Sequence, residues 1–257
     1  MDNDELSDTL ATMGLKAGDS VIIHTSFRSL RPYVNHPNDV IEAILSCIGS
    51  RGNLMLPTFN YSRPLPEPYY DPQVTPCRTG AVPECGWSRD DAVRSLHPTH
   101  SVAVIGPDAD QLTRDHLSYR AFGIGSPIDL LAQRGGKVLL LGVPHSTNST
   151  IHIGEEHARM PKRGVFDPMP IVKVRKPDGR MTEYQLDESP SCDSAFEVVA
   201  LPLHTAGQIT YGGLGECRIQ LMDGKVVIEA VVKLIADQPD VLRCNNPRCD
   251  WCAGQGD

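Results

Sequence analysis

Two short apolar runs, Ser20-Val21-Ile22-Ile23-His24 and Asn53-Leu54-Met55-Leu56-Pro57-Thr58, constrain the fold of this chain more than any other feature. Between them Ile41, Ile44, Leu45 and Ile48 recur at helical spacing, with Pro37 suited to a first helical turn and Gly49 to the stop. A helix that joins two buried strands returns the chain beside its starting strand in the same direction. This βαβ rhythm therefore implies parallel pairing with helices on the sheet faces. Val102-Ala103-Val104-Ile105-Gly106 and Lys137-Val138-Leu139-Leu140-Leu141-Gly142 continue the pattern, with helices expected over 4–13, 108–116 and 126–133. Beyond Pro161, Ile171-Val172-Lys173-Val174 and Thr182-Glu183-Tyr184-Gln185-Leu186 flank Pro177-Asp178-Gly179, whose Asp-Gly step favours a hairpin turn. Further helices are expected over 194–204 and 226–236. The expected fold is α/β, a central mostly parallel sheet flanked by helices with a smaller C-terminal α+β portion, in one domain over residues 1–257.

Residues 60–94 carry Pro64, Pro66, Pro68, Pro72, Pro76 and Pro83 and few periodic apolar positions. A connection of that length is uncommon unless it borders a site, and its tyrosines and Trp87 favour an ordered loop. A net charge of −8 and an isoelectric point near 5.6 oppose a nucleic-acid partner, whose footprint is a basic patch. They suit a cationic small substrate. The acidic start Met1-Asp2-Asn3-Asp4-Glu5-Leu6 lacks the layout of a signal peptide, and no apolar run approaches a membrane span, so a soluble cytoplasmic protein without membrane partners is expected.

The chemistry concentrates in Asn148-Ser149-Thr150-Ile151-His152-Ile153-Gly154-Glu155-Glu156, just beyond the Lys137 strand. Strand ends in α/β proteins are where ligands collect. On a helix His152 and Glu155 are i and i+3 neighbours, and a carboxylate that orients an imidazole is the minimal apparatus of general base catalysis. His152 and His157 lie five residues apart, on separate parts of the helix surface, and should not share a metal. Eight scattered cysteines argue against a disulfide scaffold. In the tail, however, Cys244, Cys249 and Cys252 have spacing suited to a structural zinc that takes a fourth ligand from elsewhere, His145 and Cys217 being among the choices.

Several segments, in order, resemble the aminoglycoside 3-N-acetyltransferase family: His24-Thr25-Ser26-Phe27-Arg28-Ser29-Leu30, Gly52-Asn53-Leu54-Met55-Leu56-Pro57-Thr58-Phe59, Thr75-Pro76 with Thr79-Gly80-Ala81-Val82-Pro83-Glu84, Arg94-Ser95-Leu96-His97-Pro98-Thr99-His100-Ser101, Phe122-Gly123 with Ser126-Pro127, and Asn148-Ser149-Thr150-Ile151-His152. Past Pro161 the likeness is to the apramycin-acetylating branch. The resemblance implies an antibiotic N-acetyltransferase fold and transfer of acetyl from acetyl-CoA to an aminoglycoside amine, at the 3-position. It implies His152 as base, Glu155, or else Glu156, holding the ring, and Thr150 or backbone amides near the helix start donating to the oxyanion. Ser26, Arg28, Ser29, Leu30, His97, Ser101, Val102 and Ser126 would form the acetyl-CoA site within a core over 1–160. Glu67, Asp71, Glu84, Asp187 and Glu188 would meet the ammonium groups, in part from an acceptor-side subregion over 161–257. It also makes Cys192 the fourth zinc ligand beside Cys244, Cys249 and Cys252. A homodimer is compatible with such an enzyme. The competing functions are acylation of a different amine or biosynthetic intermediate, and a zinc-stabilised binding protein without activity.

Overall fold

A computed structural model describes residues 4–60, 69–161, 170–187, 192–249 and 252. The chain opens with helix α1 (Asp4–Thr12), strand β1 (Ser20–Thr25), a single helical turn α2 (Phe27–Leu30), α3 (Pro37–Ile48) and β2 (Asn53–Pro57). The proline-rich segment supplies β3 (Tyr69–Tyr70), α4 (Ala81–Trp87) and β4 (Ala92–Arg94), followed by β5 (Val102–Ile105), α5 (Ala109–Thr113), α6 (Pro127–Gln133), β6 (Lys137–Leu141) and α7 (Thr150–His157). The remainder holds the hairpin β7 (Ile171–Arg175) and β8 (Met181–Gln185), α8 (Ala200–Thr205), β9 (Thr210–Leu214), β10 (Cys217–Asp223) and α9 (Gly224–Asp237).

Seven strands form the principal sheet in the order β4-β5-β2-β1-β6-β10-β9. The expected parallel pairing holds at its centre, where β1 runs with β2 and β6. The four outer pairings are antiparallel, so the sheet is mixed. For β4–β5 and β9–β10 the reason is connection length, since each pair is joined by a short link that cannot carry a crossover helix. The chain past residue 161 divides between two sheets. Its hairpin adds to Tyr69–Tyr70 in a small sheet ordered β3-β7-β8, whereas β9 and β10 complete the principal one. The hairpin turn is closed by Gly179 N–H donating to Lys176 O at 2.9 Å, with Gly179 at φ +81° as the Asp-Gly step requires.

Alternation along the central strands sends side chains to two apolar layers. Val21, Ile23, Leu54, Leu56, Leu139 and Leu141 face α1 and α3, while Ile22, Met55, Val138 and Leu140 face the layer of α5, α6, α7 and α9. Local chemistry sets α3 as the sequence predicts. Pro37 opens it, His36 and Asp39 form a reciprocal cap, and Gly49 stops it at φ +61°. The segments expected as helices over 108–116 and 194–204 are each split into a short α-helix and a 3₁₀ turn.

α7, which carries the His-Glu pair, is seated directly on α9. A Cβ at Gly154 would lie 2.5 Å from Val231 Cβ, so the absence of a side chain there sets how closely the two helices approach.

Candidate active site

A cavity of about 600 Å³ opens at the carboxyl ends of the central strands. Thr25 ends β1, Pro57 ends β2 and Val143 follows β6, and all three line it, as does His152. This is the position at which α/β sheets bind ligands, because helices pack over the strands and leave the strand ends open.

His152 is held from three sides. Its Nδ1 lies 2.7 Å from Glu155 Oε2 across one helical turn. Phe122 stacks on the ring at 4.6 Å and 23°, and Phe196 meets it edge-on at 4.7 Å. With Nδ1 engaged by a carboxylate, Nε2 is the ring nitrogen left for a substrate proton. Glu156, the alternative carboxylate, is instead drawn to Arg120 Nη1 at 2.6 Å. The helix start is capped by Asn148, whose Oδ1 accepts from Thr150 N–H at 3.1 Å. Aromatic contacts continue through Phe59 and His100 into Phe122, making one wall of the cavity an apolar belt.

Two further imidazoles lie beneath. His24 lines the cavity with 7 % of its surface exposed, and burial, reinforced by His145, pushes it down to about 3. His145 is fully buried and is likewise lowered by burial, against the opposing pull of Glu197. Both are therefore neutral imidazoles at physiological pH.

Beside His152 the wall continues through Asp193 and Phe196, which follow Cys192 in the chain. The sulfurs of Cys192, Cys244, Cys249 and Cys252 all lie within 4.8 Å of one another. Tetrahedral zinc with four thiolates at about 2.3 Å has sulfurs about 3.8 Å apart, so the cluster needs little contraction to hold the ion. His145 and Cys217 stand outside it. His145 Nε2 is 3.2 Å from Gln220 Oε1, and the Cys217 thiol packs against Ser29.

The model of the family described as aminoglycoside 3-N-acetyltransferase matches residues 22–236. The chain belongs to the aminoglycoside 3-N-acetyltransferase family. Among its relatives, aminoglycoside N(3)-acetyltransferase IV of Salmonella sp is 28 % identical over 96 % of each chain. A mutant of aminoglycoside acetyltransferase AAC(3)-IVa in complex with apramycin superposes with a TM-score of 0.82 at 26 % identity, covering 98 % of both chains. The binary complex of AAC-IIIb with CoASH gives 0.78 at 26 % identity, covering 93 % of this chain and 97 % of the other. This agrees with the family resemblance of the sequence, the apramycin branch included.

The residues expected at an acetyltransferase cosubstrate site are dispersed. Ser26 caps α2 through its carbonyl, which accepts from Ser29 Oγ at 2.8 Å, and Arg28 is exposed beside them. Leu30 and Val102 are fully buried, so their side chains belong to the apolar layers. His97 sits among His116 and Tyr184, with ring centroids at 4.8 and 5.4 Å. Ser101 donates to Thr58 O at 2.8 Å beside the buried Arg94. Ser126 is buried at the start of α6, and among the described residues its hydroxyl has no hydrogen-bond partner. None of these eight lines the cavity, although Thr25 next to Ser26 does. The Thr150 hydroxyl is also buried away from the cavity wall.

The expected acceptor carboxylates are spoken for in other ways. Asp71 is buried, accepting from the Tyr69 hydroxyl at 3.0 Å and Gln73 N–H at 2.9 Å. Glu84 accepts from Trp87 Nε1 at 2.8 Å and from Cys77 N–H at 2.6 Å, which secures the start of α4. Asp187 is exposed and lies 3.7 Å from Arg120. Glu67 and Glu188 fall outside the described residues. Asp193 is the carboxylate that does line the cavity among the described residues, and sequence reasoning missed it. Its signal was adjacency to Cys192, since a residue next to a pinned ligand is itself pinned.

Proposed function

We propose that this chain transfers the acetyl group of acetyl-CoA to the 3-amino group of an aminoglycoside, with His152 as general base. The observation that carries the reading is the His152–Glu155 pair on the wall of the strand-end cavity. An amine is protonated at neutral pH and has no lone pair for attack until a base removes the proton. His152 Nε2 takes that proton while Glu155 stabilises the resulting imidazolium. The freed amine attacks the thioester carbonyl; as the tetrahedral intermediate collapses the C–S bond breaks, the departing CoA thiolate takes a proton from His152, and the second proton on the attacking nitrogen passes to solvent, leaving the neutral amide. Phe122 and Phe196 clamp the ring, which limits its rotation away from the acceptor.

Acetyl-CoA would enter over the loop after β1, with Ser26, Arg28 and Ser29 near the chain segment that ends at Thr25, and His97, Ser101 and Ser126 acting as supports for that region. Acceptor ammonium groups would meet Asp193, whose charge-assisted hydrogen bonds favour cations. Asp187 is an exposed acid paired with the Arg120 that also holds Glu156. The four cysteines would hold a structural zinc with no open coordination position, so the ion pins the tail and takes no part in acetyl transfer. Thiolates of this kind persist in a reducing compartment, which suits a cytoplasmic enzyme acting on a small cation. Among the described residues no helix is long and apolar enough to cross a membrane.

The test is release of free thiol from acetyl-CoA in the presence of an aminoglycoside panel, followed by localisation of the acetyl group on the product. Replacing His152 with alanine should lower kcat by about 10²- to 10⁴-fold while CoA binding is kept. Undiminished turnover in that variant removes the histidine from the mechanism. Thiol release with other amines but with no aminoglycoside turns the reading toward a different acceptor, and no release with any amine toward a binding protein.

A further inference from the structure

Apart from its imidazoles, the cavity is lined among the described residues by one acid and one cation, Asp193 and Arg78. The acid has a use in the reading above, and the cation has none. An acceptor that carries several ammonium groups gains nothing from a guanidinium beside it, because like charges repel. Arg78 is suited to a different partner.

The backbone of Arg78 is fixed while its side chain is left over. Its N–H donates to Phe59 O at 2.7 Å. On one side of it Cys77 N–H donates to Glu84 Oε2 at 2.6 Å, and on the other the Thr79 hydroxyl donates to Pro57 O. These bonds join the residue to the end of β2 and to α4, so the guanidinium starts from a set place on the cavity wall. The side chain is exposed, and among the described residues it makes no ion pair or hydrogen bond. Two other arginines are occupied elsewhere. Arg94 donates to Thr58 O at 3.1 Å and lies over the Trp87 ring at 4.5 Å, while Arg120 is paired with Glu156 at 2.6 Å. Neither lines the cavity.

A series of rings relates Arg78 to the base. Phe59, whose carbonyl holds Arg78, meets Phe122 at 5.7 Å, and Phe122 stacks on His152 at 4.6 Å. Phe196, three residues after Asp193, meets His152 at 4.7 Å. In order of contact, the cation attaches at the Phe59 end of the series and the acid near the Phe196 end, with the base between them.

We propose that Arg78 is a phosphate anchor for the cosubstrate, holding an anionic oxygen of CoA at the cavity while the thioester lies at His152. A guanidinium stays charged at every working pH and offers two parallel N–H groups that match phosphate oxygens. CoA carries its phosphates at the end of the pantetheine arm remote from sulfur, so a cation meant for them has to stand apart from the base. Phe59 and Phe122 supply that separation, and their rings give the aliphatic part of the arm an apolar surface. Arg78 also sorts the two ligands, since it attracts a polyanion and repels a polycation. It is a positioning residue. The identity of the anion rests on the acetyl-CoA-dependent reading given above.

Calorimetric titration of the wild-type chain and of Arg78→Gln with CoA and dephospho-CoA, each at low and high salt, tests the anchor. Arg78→Gln should weaken CoA roughly tenfold at low salt and flatten the fall of affinity with salt, because an exposed charge pair is screened. Arg78→Lys keeps the charge but loses the fork, and should restore part of the affinity together with the salt dependence. An equal loss with dephospho-CoA assigns the contact to the pyrophosphate, and a loss confined to CoA assigns it to the 3′-phosphate; either supports the anchor. Aminoglycoside affinity should be held or slightly tightened in Arg78→Gln. CoA affinity equal to wild type in that variant overturns the proposal, as does a loss confined to the aminoglycoside. Equal loss of both ligands in the Gln and Lys variants overturns it in favour of a structural role. Binding is measured without turnover, so the two readings fail separately. A chain that holds CoA through Arg78 yet releases no thiol with any amine loses the acetyltransferase reading alone, and one that releases thiol with CoA affinity indifferent to Arg78 loses the anchor alone. A wild-type chain that binds no CoA loses both.

Discussion

The two walls of the cavity are built by opposite means. On the His152 side, α7 lies on α9 with Gly154 against Val231, Ile151 and Ile153 are fully buried, and aromatic rings close around the imidazole. The neighbouring wall carries Asp193, next to Cys192, one of four cysteines from two distant parts of the chain whose sulfurs gather in a cluster. Packing fixes the first wall, and ligation would fix the second. The difference teaches where disturbance should be felt. On the acetyltransferase reading, injury to the packed wall should displace the proposed base and lower kcat, whereas injury to the clipped wall should loosen the acceptor and raise KM.

The sharpest way to break this comparison is to remove the clip. Metal analysis should find one zinc per chain, and Cys249→Ser or chelation should release it with a fall in Tm, because ligand binding to the native state alone is folding free energy. The expected kinetic signature is a rise in acceptor KM with CoA binding kept. Full stability in a zinc-free preparation means that the second wall is also a packed one. Gly154→Ala presses on the first wall. Its new methyl would overlap Val231, and overpacking of this kind costs about 1–3 kcal/mol, read as a lower midpoint in urea together with a lower kcat. A variant with wild-type stability would show that α7 and α9 are free to separate.

Acid should act on the packed wall as well. His24 is depressed to about 3 in the folded chain, so between that value and about 6.5 the unfolded state binds the extra proton. Stability therefore rises with pH through this window and is lost on acidification, at about 1.4 kcal/mol per pH unit from this residue. Urea midpoints at pH 7 and pH 5.5 measure it, and His24→Leu should flatten the slope. The smallest effect is expected at the rim of the clipped wall. Asp193→Asn removes one exposed carboxylate and should raise acceptor KM by roughly fivefold, corresponding to about 1 kcal/mol, with kcat unchanged. Equal KM values for the two forms would move ammonium recognition to another acid.

Much of this molecule is legible along the chain because its signals are local. The strands around Ile22, Leu54, Val104 and Leu139 are continuous apolar runs, and α3 carries its own proline, cap and glycine stop. The His152–Glu155 pair was readable for the same reason, since i and i+3 neighbours on a helix meet whatever surrounds them. β9 was missed because Tyr211-Gly212-Gly213 lacks the usual marks of a strand. The structure explains one of those glycines: a Cβ at Gly212 would overlap the side chain of Met13, which follows α1. Which carboxylate faces the cavity was equally hidden. Asp71 and Glu84 lie in the segment expected to border the site, yet each is turned to the backbone and side chains of its own loop.

Sequence alone determined the α/β class, the family, the His152–Glu155 contact and the thiols able to gather at the tail, because each depends on spacing within a segment or on residue type. Tertiary structure decided which strands pair antiparallel, that Asp193 reaches the cavity, and that His145 meets Gln220. Those outcomes depend on strands from distant segments lying side by side, and the contact across a sheet is set by register and side-chain direction rather than by separation along the chain.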